Sequence, residues 1–355
     1  FMAILSDDND FGKQLPKQKN PIIKTESIEY DKTFENSIRP KNFEDYIGQS
    51  ALKETLKISI EAAKLREKPL DHLLFYGPPG LGKTTLAGVI AQQMGAEIKI
   101  TSAPALERPR DIIGILMSLK GGEILFIDEI HRLNKVAEEI LYPAMEDFFL
   151  DMTTGKSQTV KTLRVPLPKF TLIGATTKAG ELSGPLRDRF GIIYRLQFYS
   201  IEELSAVIKR TASILDIQIT EDGAEAIARR SRGTPRIANR LVKRVADFAL
   251  IKFDGVITDE VANSSLDILN IDEFGLDTTD RALLNLIIEK YDGGPVGIET
   301  IAAALSEDVR TLEDVCEPYL LQAGLLQRTP RGRKVSPEGY RHLGIKIDSM
   351  QQSLF

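Results

Sequence analysis

Residues 77–84 read Gly-Pro-Pro-Gly-Leu-Gly-Lys-Thr, a glycine-rich stretch that ends in a lysine and a hydroxyl residue. In a loop of this kind, consecutive backbone N–H groups wrap around a phosphate, and the helix that follows adds the positive end of its dipole. Lys83 would contact the β- and γ-phosphates, and the Thr84 hydroxyl would hold Mg²⁺. The spacing therefore predicts a site for a nucleoside triphosphate.

The segments on either side of this loop meet the same requirement. The apolar run 73–76 predicts a strand before it, and residues 84–93 predict a helix after it. Similar apolar runs, separated by helical stretches, lie at residues 97–101, 124–127 and 170–175. Continuous apolar runs of this length are typical of strands buried on both faces of a parallel sheet. We therefore predict an α/β fold with a parallel sheet.

Two acids follow the predicted strand at residues 124–127. Asp128 would lie at the carboxyl end of a parallel strand, where ligands bind in open α/β sheets, and would hold the Mg²⁺ shell. Glu129, the next residue, is placed to polarise the attacking water. The pair predicts hydrolysis of the bound nucleotide.

Hydroxyl and guanidinium groups follow the predicted strand at residues 170–175. Thr176 ends that strand, where its hydroxyl would touch the γ-phosphate or the attacking water. Arg187 and Arg189 come next, bracketed by glycines and a proline. An arginine that reaches into a neighbouring subunit accelerates phosphoryl transfer by about 10³–10⁵. The spacing alone leaves an equal alternative, a surface arginine paired with Asp188.

The composition is that of a globular protein with several domains. The chain has 355 residues, of which 42% are hydrophobic and 27% charged, and this length predicts two or three domains. No apolar run approaches the roughly 20 residues of a membrane helix. A lone Cys316 excludes a disulfide framework, so we expect a cytoplasmic protein. With a net charge of −5, any contact with DNA must use a local basic patch.

Together, these motifs resemble those of AAA+ ATPases and, among them, the RuvB family of bacterial Holliday-junction branch-migration motors. The resemblance runs from about residue 38 to residue 344. The stretches that carry it are residues 39–49 (Arg-Pro-Lys-Asn-Phe-Glu-Asp-Tyr-Ile-Gly-Gln), 77–85, 125–131, 174–180, 185–191, 233–236 and 325–333. It implies an ATP-dependent hexameric ring that translocates duplex DNA in recombination and repair, with RuvA and the RuvC resolvase as partners.

The resemblance also implies roles for individual residues. Ile38 and Arg39 would line the adenine pocket, and Thr176 would be the first sensor. Arg189 would complete a neighbour's site, and Arg236 would be the second sensor, which reports the nucleotide to a helical lid. The residues implied to contact ATP or Mg²⁺ are Ile38, Arg39, Gly80, Gly82, Lys83, Thr84, Thr85, Asp128, Glu129, Glu146, Asp147, Phe148, Arg189, Tyr199 and Arg236.

Segments of different character predict the domain organisation. Residues 1–35 are polar and lack periodicity, which predicts a disordered tail. The segment from Ile201 to Asn270 predicts helices only, with breaks near Asp216 and Gly233. The expected domains are a large AAA+ ATPase domain over residues 36–199, a small helical lid domain over residues 200–271, a winged-helix domain over residues 272–345 and a tail over residues 346–355.

An insertion interrupts the sheet pattern at residues 150–168. Its threonines and glycine predict a β-hairpin with a turn near residues 155–158. In the RuvB family a hairpin at this place docks onto RuvA, and the resemblance implies the same contact here. Thr153, Thr154 and Thr162 make these strands less apolar than such a contact suggests, so a plain surface hairpin stays an alternative.

The predicted winged-helix domain ends in a basic ribbon. Helices over residues 279–291, 298–305 and 311–323 precede two short strands that reach Val335, which is the winged-helix arrangement. The third helix is acidic and would be repelled by DNA phosphates. The basic residues of the ribbon and its tail are Arg328, Arg331, Arg333, Lys334 and Arg341. We predict sequence-independent contact with the DNA backbone through Arg328 and Arg333, with Arg331 beside them. A protein-binding winged helix is the alternative.

Some assignments stay open. His131 would sense the γ-phosphate site or face solvent, and Cys316 is assigned to packing. An origin-binding initiator ATPase also joins a AAA+ domain to a winged helix, and a nucleotide-switched DNA-binding protein would leave Glu129 idle. The insertion at residues 150–168 favours the junction motor over the initiator.

Overall fold

The computed structural model describes residues 37–154 and 161–346 of the chain. The chain divides into two compact units, residues 1–39 and residues 40–355, and the first contributes only Ser37, Ile38 and Arg39 to the described part. The predicted tail over residues 1–35 lies outside the described residues, as does the tail over residues 346–355 apart from Lys346. The elements given below belong to the second unit.

Helices and strands of the described residues are numbered in chain order. The helices are α1 (Ser50–Leu65), α2 (Lys83–Met94), α3 (Pro109–Met117), α4 (Lys135–Glu146), α5 (Gly184–Arg187), α6 (Ile201–Ile214), α7 (Glu221–Arg229), α8 (Pro235–Lys252), α9 (Asp259–Ile268), α10 (Thr278–Tyr291), α11 (Ile298–Leu305), α12 (Val309–Thr311), α13 (Glu317–Gln322) and α14 (Pro337–His342). The strands are β1 (Leu73–Tyr76), β2 (Ile98–Ser102), β3 (Ile124–Asp128), β4 (Phe149–Thr154), β5 (Lys161–Pro166), β6 (Thr171–Thr176), β7 (Ile192–Arg195), β8 (Gln218–Ile219), β9 (Val256–Ile257), β10 (Leu326–Thr329) and β11 (Gly332–Val335). Among the helices of residues 37–154 and 161–346, none is both long and apolar enough to cross a membrane.

Five parallel strands form the central sheet, in the order β2-β3-β6-β1-β7. The prediction of an α/β fold with a parallel sheet is confirmed. Leu73 and Phe75 of β1 belong to one apolar cluster and Leu74 to another, so the sheet is covered on both faces. This double burial explains the continuous apolar sequence of its central strands. The edge strand β7 was not predicted, because its residues alternate between half-buried and exposed.

The register of the sheet brings the candidate site residues to one edge. Tyr76 of β1 pairs with Thr176 of β6, and β6 lies between β1 and β3. Asp128, the last residue of β3, therefore lies on the same edge as Thr176 and the loop that follows Tyr76. Carboxyl ends of parallel strands at one edge of a sheet are where ligands bind in this class of fold.

An antiparallel hairpin follows α4. β4 pairs with β5 over the full length of both strands, which confirms the predicted hairpin. Its predicted turn at residues 155–158 lies outside the described residues. Arg164 lies 3.8 Å from the ring centroid of Phe149 and pairs with Asp151 at 3.1 Å, and 56% of the Leu163 surface is exposed. The hairpin thus presents a mixed polar and apolar surface.

Four helices, α6 to α9, form the lid segment. Ser200, Thr220 and Thr258 each accept a hydrogen bond from a backbone N–H of the helix that follows, and these hydroxyl caps set where three of the helices begin. β8 and β9 form a short parallel pair within this segment, so the prediction that it consists only of helices is wrong. Strands of two residues have too little periodicity to be recognised from sequence.

The winged-helix arrangement is confirmed, with a ribbon of β10 and β11 after the helical segments and an apolar cluster of its own. The predicted helix over residues 311–323 is not α-helical throughout. A π-helical turn, Leu312–Cys316, joins α12 to α13. Pro318 has no N–H to donate to the carbonyl of Asp314, so one regular α-helical bond is missing at this turn. Cys316 is buried within the cluster, as predicted.

Candidate nucleotide site and DNA-binding surface

The backbone of the glycine-rich loop adopts conformations that residues with side chains rarely adopt. Gly77, Gly80 and Gly82 have φ values of 142°, 83° and 91°, in the region that favours glycine. A Cβ on Gly77 would lie 2.9 Å from the carbonyl oxygen of Leu196, which is too close for a real contact. The loop ends where α2 begins at Lys83, so its backbone and the helix N-terminus face the same space. This geometry suits a bound phosphate.

Lys83 folds back across the loop. Its ammonium donates hydrogen bonds to the carbonyl oxygens of Gly77 at 2.8 Å and Pro78 at 3.0 Å. The side chain is buried, and burial lowers the pKa of Lys83 to about 8 even though Glu129 and Asp128 act in the opposite direction. The ammonium is therefore held beside the loop and is poorly solvated, which strengthens its attraction for an anion.

Two adjacent carboxylates occupy the end of β3. The backbone N–H of Glu129 donates to the Asp128 carboxylate at 3.0 Å, and burial together with the Glu129 charge raises the pKa of Asp128. Carboxylate oxygens are the ligands that Mg²⁺ prefers, and a cation would relieve the repulsion between the two acids. The donor set here, with the Thr84 hydroxyl at the start of α2, fits a Mg²⁺ ion.

Glu129 is held by residues that follow β6. Its carboxylate accepts hydrogen bonds from the backbone N–H of Thr177 at 3.2 Å and from the Thr177 hydroxyl at 3.0 Å. Burial raises the pKa of Glu129, but the hydrogen bonds from His131 and Thr177 outweigh it and lower the pKa to about 2. The carboxylate is therefore ionised at neutral pH, as a group that polarises water must be.

His131 belongs to this network. Its Nδ1 lies 3.2 Å from the Glu129 carboxylate and 2.8 Å from the Thr176 hydroxyl, and its side chain is 7% exposed. A solvent-facing loop residue was the alternative for His131, and the burial excludes it. The imidazole links the end of β3 to the end of β6, so it contacts both the acidic residue and the proposed first sensor.

Arg189 lies away from the P-loop residues and contacts α4 of the same chain. Its guanidinium donates to the carbonyl oxygen of Pro185 at 2.6 Å, pairs with Glu146 at 3.0 Å and lies 4.4 Å from the ring centroid of Tyr142. Glu146 ends α4, and the predicted neighbours Asp147 and Phe148 follow it directly. Arg189 and Glu146 are therefore in contact at the end of α4 within this chain.

Two tyrosines, Tyr46 and Tyr199, pack beside Leu81 and Gly82 of the P-loop. The Tyr199 hydroxyl lies 3.4 Å from the Tyr46 hydroxyl and 3.5 Å from the carbonyl oxygen of Leu81. A Cβ on Gly82 would lie 3.2 Å from the Tyr46 hydroxyl, so the two side chains fill the space beside the loop. Tyr46 was not predicted as a site residue. Its signal in the sequence is its place within residues 39–49, a stretch that carries the family resemblance.

Arg236 lies in the first turn of α8, next to the P-loop. Its backbone N–H donates to the carbonyl oxygen of Gly80 at 3.4 Å, and a Cβ on Gly80 would lie 3.3 Å from its Cβ. The start of this lid helix therefore contacts the loop that faces the phosphates. The predicted residues Lys83, Asp128, Glu129, Thr176 and Arg236 are brought together, whereas Arg189 lies with Glu146.

The basic ribbon is divided into exposed and buried arginines. Arg328 and Arg331 are exposed. Arg333 is buried and donates to the Glu317 carboxylate at 3.1 and 2.9 Å and to Glu313 at 3.2 Å. This burial does not support the prediction that Arg333 contacts DNA, because its donors are committed to two carboxylates of the same domain. Both carboxylates lie on the acidic third helical segment, which therefore faces the ribbon within the domain.

A P-loop at the edge of a parallel sheet, two acids on a neighbouring strand and a helical lid against the loop define a AAA+ ATPase, here joined to a winged helix. Family models match the whole of this arrangement. They describe a Holliday junction DNA helicase RuvB P-loop domain at residues 38–196, a RuvB AAA lid domain at residues 199–272 and a RuvB C-terminal winged helix domain at residues 273–344. The chain belongs to the RuvB family.

Individual relatives agree with this membership. The "Holliday junction branch migration complex subunit RuvB" of Crocosphaera subtropica is 58% identical over 347 residues, which cover 98% of this chain and 98% of that protein. The protein of the same name from a Nostoc species is 56% identical over 341 residues, with 96% and 93% covered. The solved structure of the Thermotoga maritima RuvB Holliday junction branch migration motor superimposes with a TM-score of 0.80 at 50% identity, and covers 88% of this chain and 100% of that chain.

Proposed function

We propose that this chain is the ATP-hydrolysing subunit of a DNA motor that drives branch migration of Holliday junctions in recombination and repair. One observation carries the proposal. The network of Glu129, His131, Thr176 and Thr177 lies at the edge of a sheet that also carries the P-loop, and a winged helix belongs to the same compact unit. A nucleotide site and a DNA-binding module are thus parts of one body.

ATP with Mg²⁺ is the proposed ligand. Gly80, Gly82, Lys83, Thr84 and Thr85 hold the phosphates, and Thr84 and Asp128 are the protein ligands that would hold Mg²⁺. When bound, the metal neutralises charge on the phosphates. Tyr199, whose hydroxyl lies 3.5 Å from the carbonyl oxygen of Leu81, borders the nucleotide in this proposal.

Hydrolysis depends on residues from two subunits in this proposal. Glu129 polarises the attacking water, and its low pKa keeps it ionised. Thr176 acts as the first sensor and Arg236 as the second. Arg189 reaches the γ-phosphate of a neighbour, with Glu146, Asp147 and Phe148 of the same α4 end bordering that nucleotide. A head-to-tail contact of this kind must close into a ring or extend as a filament, and we propose a hexameric ring.

The DNA and protein partners follow from the surfaces of the chain. Arg328 and Arg331 are exposed on the ribbon and contact the phosphate backbone without reading base sequence. The hairpin of β4 and β5 contacts RuvA through a surface that includes Leu163, and RuvC joins the resolving complex. Because the substrate is chromosomal DNA, we place the protein in the cytoplasm.

The test is a branch-migration assay with the purified full chain, ATP, Mg²⁺ and RuvA. We expect ATP-dependent conversion of a synthetic four-way junction into two duplexes, and hydrolysis that is stimulated by junction DNA with RuvA. Glu129→Gln is the matched control, since it keeps the size of the side chain. Stimulation by linear origin-like duplex without any junction conversion would favour an initiator ATPase and refute the motor.

A further inference from the structure

Arg232, the last residue before Gly233 of the lid, makes a buried connection to the winged helix. Its guanidinium pairs with Asp280 of α10 at 2.5 Å and with Asp277 at 3.1 Å, and its Nε donates to the carbonyl oxygen of Gly275 at 2.6 Å. Asp280 is fully buried, and Arg232 is 8% exposed. The two residues belong to domains that follow each other in the chain, so this is a joint between them.

The same lid segment contacts the nucleotide site on its other side. The carbonyl oxygen of Gly233 accepts a hydrogen bond from the backbone N–H of Tyr199 at 2.9 Å, and Arg236 donates to Gly80 at 3.4 Å. Arg232 and Arg236 are four positions apart. One short segment therefore contacts the P-loop with one end and the winged helix with the other.

We propose that Arg232 is a positioning residue for DNA translocation, because its ion pair with Asp280 fastens the winged helix to the lid segment that carries Arg236. The winged helix then follows the lid when the nucleotide changes, and does not follow the ATPase sheet. The proposal rests on the motor function proposed above. It adds the contacts through which a change at the nucleotide site would move the winged-helix domain.

A second ion pair joins the winged helix to the ATPase domain, and it is exposed. Lys178, after β6, pairs with Asp314 of the winged helix at 3.4 Å, and its side chain also lies 3.7 Å from Glu181. The Lys178 and Asp314 side chains are 35% and 44% exposed. Exposed pairs are screened by water and salt and hold two domains weakly, whereas separating a buried pair leaves uncompensated charges in a poorly solvated site. The winged helix is therefore fastened on the lid side and loosely held on the ATPase side.

The geometry of the joint requires an arginine. The guanidinium uses two nitrogens to reach Gly275 and both aspartates, and it lies 5.6 Å from the ring centroid of Tyr319. Asp280 is oriented in turn, since the backbone N–H of Asp277 donates to its carboxylate at 3.2 Å. A lysine ammonium is a point charge without this planar fork and does not replace these contacts.

The test measures distances in the full chain, between spin labels at exposed positions. Leu250→Cys labels the lid, Leu65→Cys labels the ATPase domain and Glu338→Cys labels the winged helix, while the buried Cys316 stays unlabelled. We expect the lid-to-winged-helix distance to be the same with and without a slowly hydrolysed ATP analogue. The ATPase-to-winged-helix distance should change. A lid-to-winged-helix distance that changes with nucleotide in the otherwise unmodified chain would overturn the proposal.

A second measurement uses Asp280→Asn, which keeps the shape of the side chain and removes its charge. We expect the lid-to-winged-helix distance distribution to broaden, and the number of base pairs migrated per ATP to fall by about fivefold or more, with ATP hydrolysis nearly unchanged. Asp314→Asn, which breaks only the exposed pair, is the control and should leave this ratio unchanged. An unchanged ratio in Asp280→Asn refutes the coupling role. If the unmodified chain migrates no junctions, the motor function fails, while the distances still decide the joint.

Discussion

The guanidinium of Arg333 and the carboxylate of Glu317 form a buried two-point ion pair in the winged helix, with N–O distances of 3.1 and 2.9 Å. Glu313 adds a third contact at 3.2 Å. The pair ties β11 to the third helical segment, so Arg333 stabilises the ribbon from which Arg328 and Arg331 project. The basic ribbon therefore has one structural arginine and two that are available to DNA.

Arg328→Ala and Arg333→Ala should have different effects. Arg328→Ala should weaken binding to all duplexes alike and lower the slope of log affinity against log salt by about one, because it removes one phosphate contact. Arg333→Ala should instead destabilise the winged helix by about 3 kcal/mol, because it leaves the buried Glu317 carboxylate without its partner. Fluorescence anisotropy at several salt concentrations and urea unfolding separate the two. A stable Arg333→Ala protein with a reduced salt slope would contradict this assignment.

Glu129→Gln should bind ATP and form rings without turnover. The amide keeps the size of the side chain but cannot accept the proton of the attacking water, so we expect hydrolysis to fall by about 10²–10⁴. Single-turnover hydrolysis measures the loss, and a fluorescent ATP analogue measures the retained affinity. Turnover at the unmodified rate would show that Glu129 is idle and that the protein is a nucleotide switch.

Lys83→Ala should lose nucleotide binding. The ammonium is held beside the loop by the carbonyl oxygens of Gly77 and Pro78, and Lys83 is the one lysine within residues 77–84. Titration with a fluorescent ATP analogue checks this, with Glu129→Gln as a control that leaves the loop intact. Unchanged affinity in Lys83→Ala would refute the P-loop assignment.

Arg189→Ala should reduce hydrolysis by about 10³–10⁵ if the arginine acts on a neighbour's nucleotide. Mixed rings provide the decisive comparison. A subunit with Arg189→Ala has an intact Glu129, and a neighbour with Glu129→Gln supplies an intact Arg189. Each variant alone should be inactive, and mixing them should restore hydrolysis at the pockets where they meet. No recovery in mixed rings would show that Arg189 acts within its own subunit or only holds Glu146.

His72 should make stability depend on pH. Its Nδ1 accepts a hydrogen bond from the backbone N–H of Leu172 at 2.8 Å, its Nε2 lies 3.0 Å from the carbonyl oxygen of Met145, and burial lowers the pKa of His72. The folded state therefore favours neutral imidazole, while the unfolded chain takes up a proton below about pH 6.5. The contribution of His72 to the free energy of unfolding should be constant above that pH and fall below it, by at most about 1.4 kcal/mol per pH unit.

Calorimetry at pH 7.5 and pH 5.5 checks this dependence. The thermal midpoint of the unmodified chain should fall on acidification by more than that of His72→Gln, which lacks the titrating group. Equal shifts in both proteins would mean that other groups, and not His72, account for the acid sensitivity.

Local features were well predicted from the sequence because short segments determine them. The glycines of residues 77–84 are required by the backbone of the loop itself, and the strand that ends in Asp128 is recognisable from its own apolar run. The hairpin and the winged-helix order were predicted in the same way. Elements whose pattern is short or interrupted were not: the edge strand β7, the pair β8–β9 and the π-helical turn Leu312–Cys316.

The sequence by itself determined the chemistry that this protein carries: a P-loop, two acids, hydroxyls that end a strand, and arginines placed after them. Tertiary structure alone decided which charge meets which partner. Arg333 faces Glu317 and Arg232 faces Asp280, while Arg328 faces solvent. The physical reason is that a guanidinium attracts a phosphate and a carboxylate by the same forces, so its role depends on what distant segments of the chain bring within about 4 Å of it.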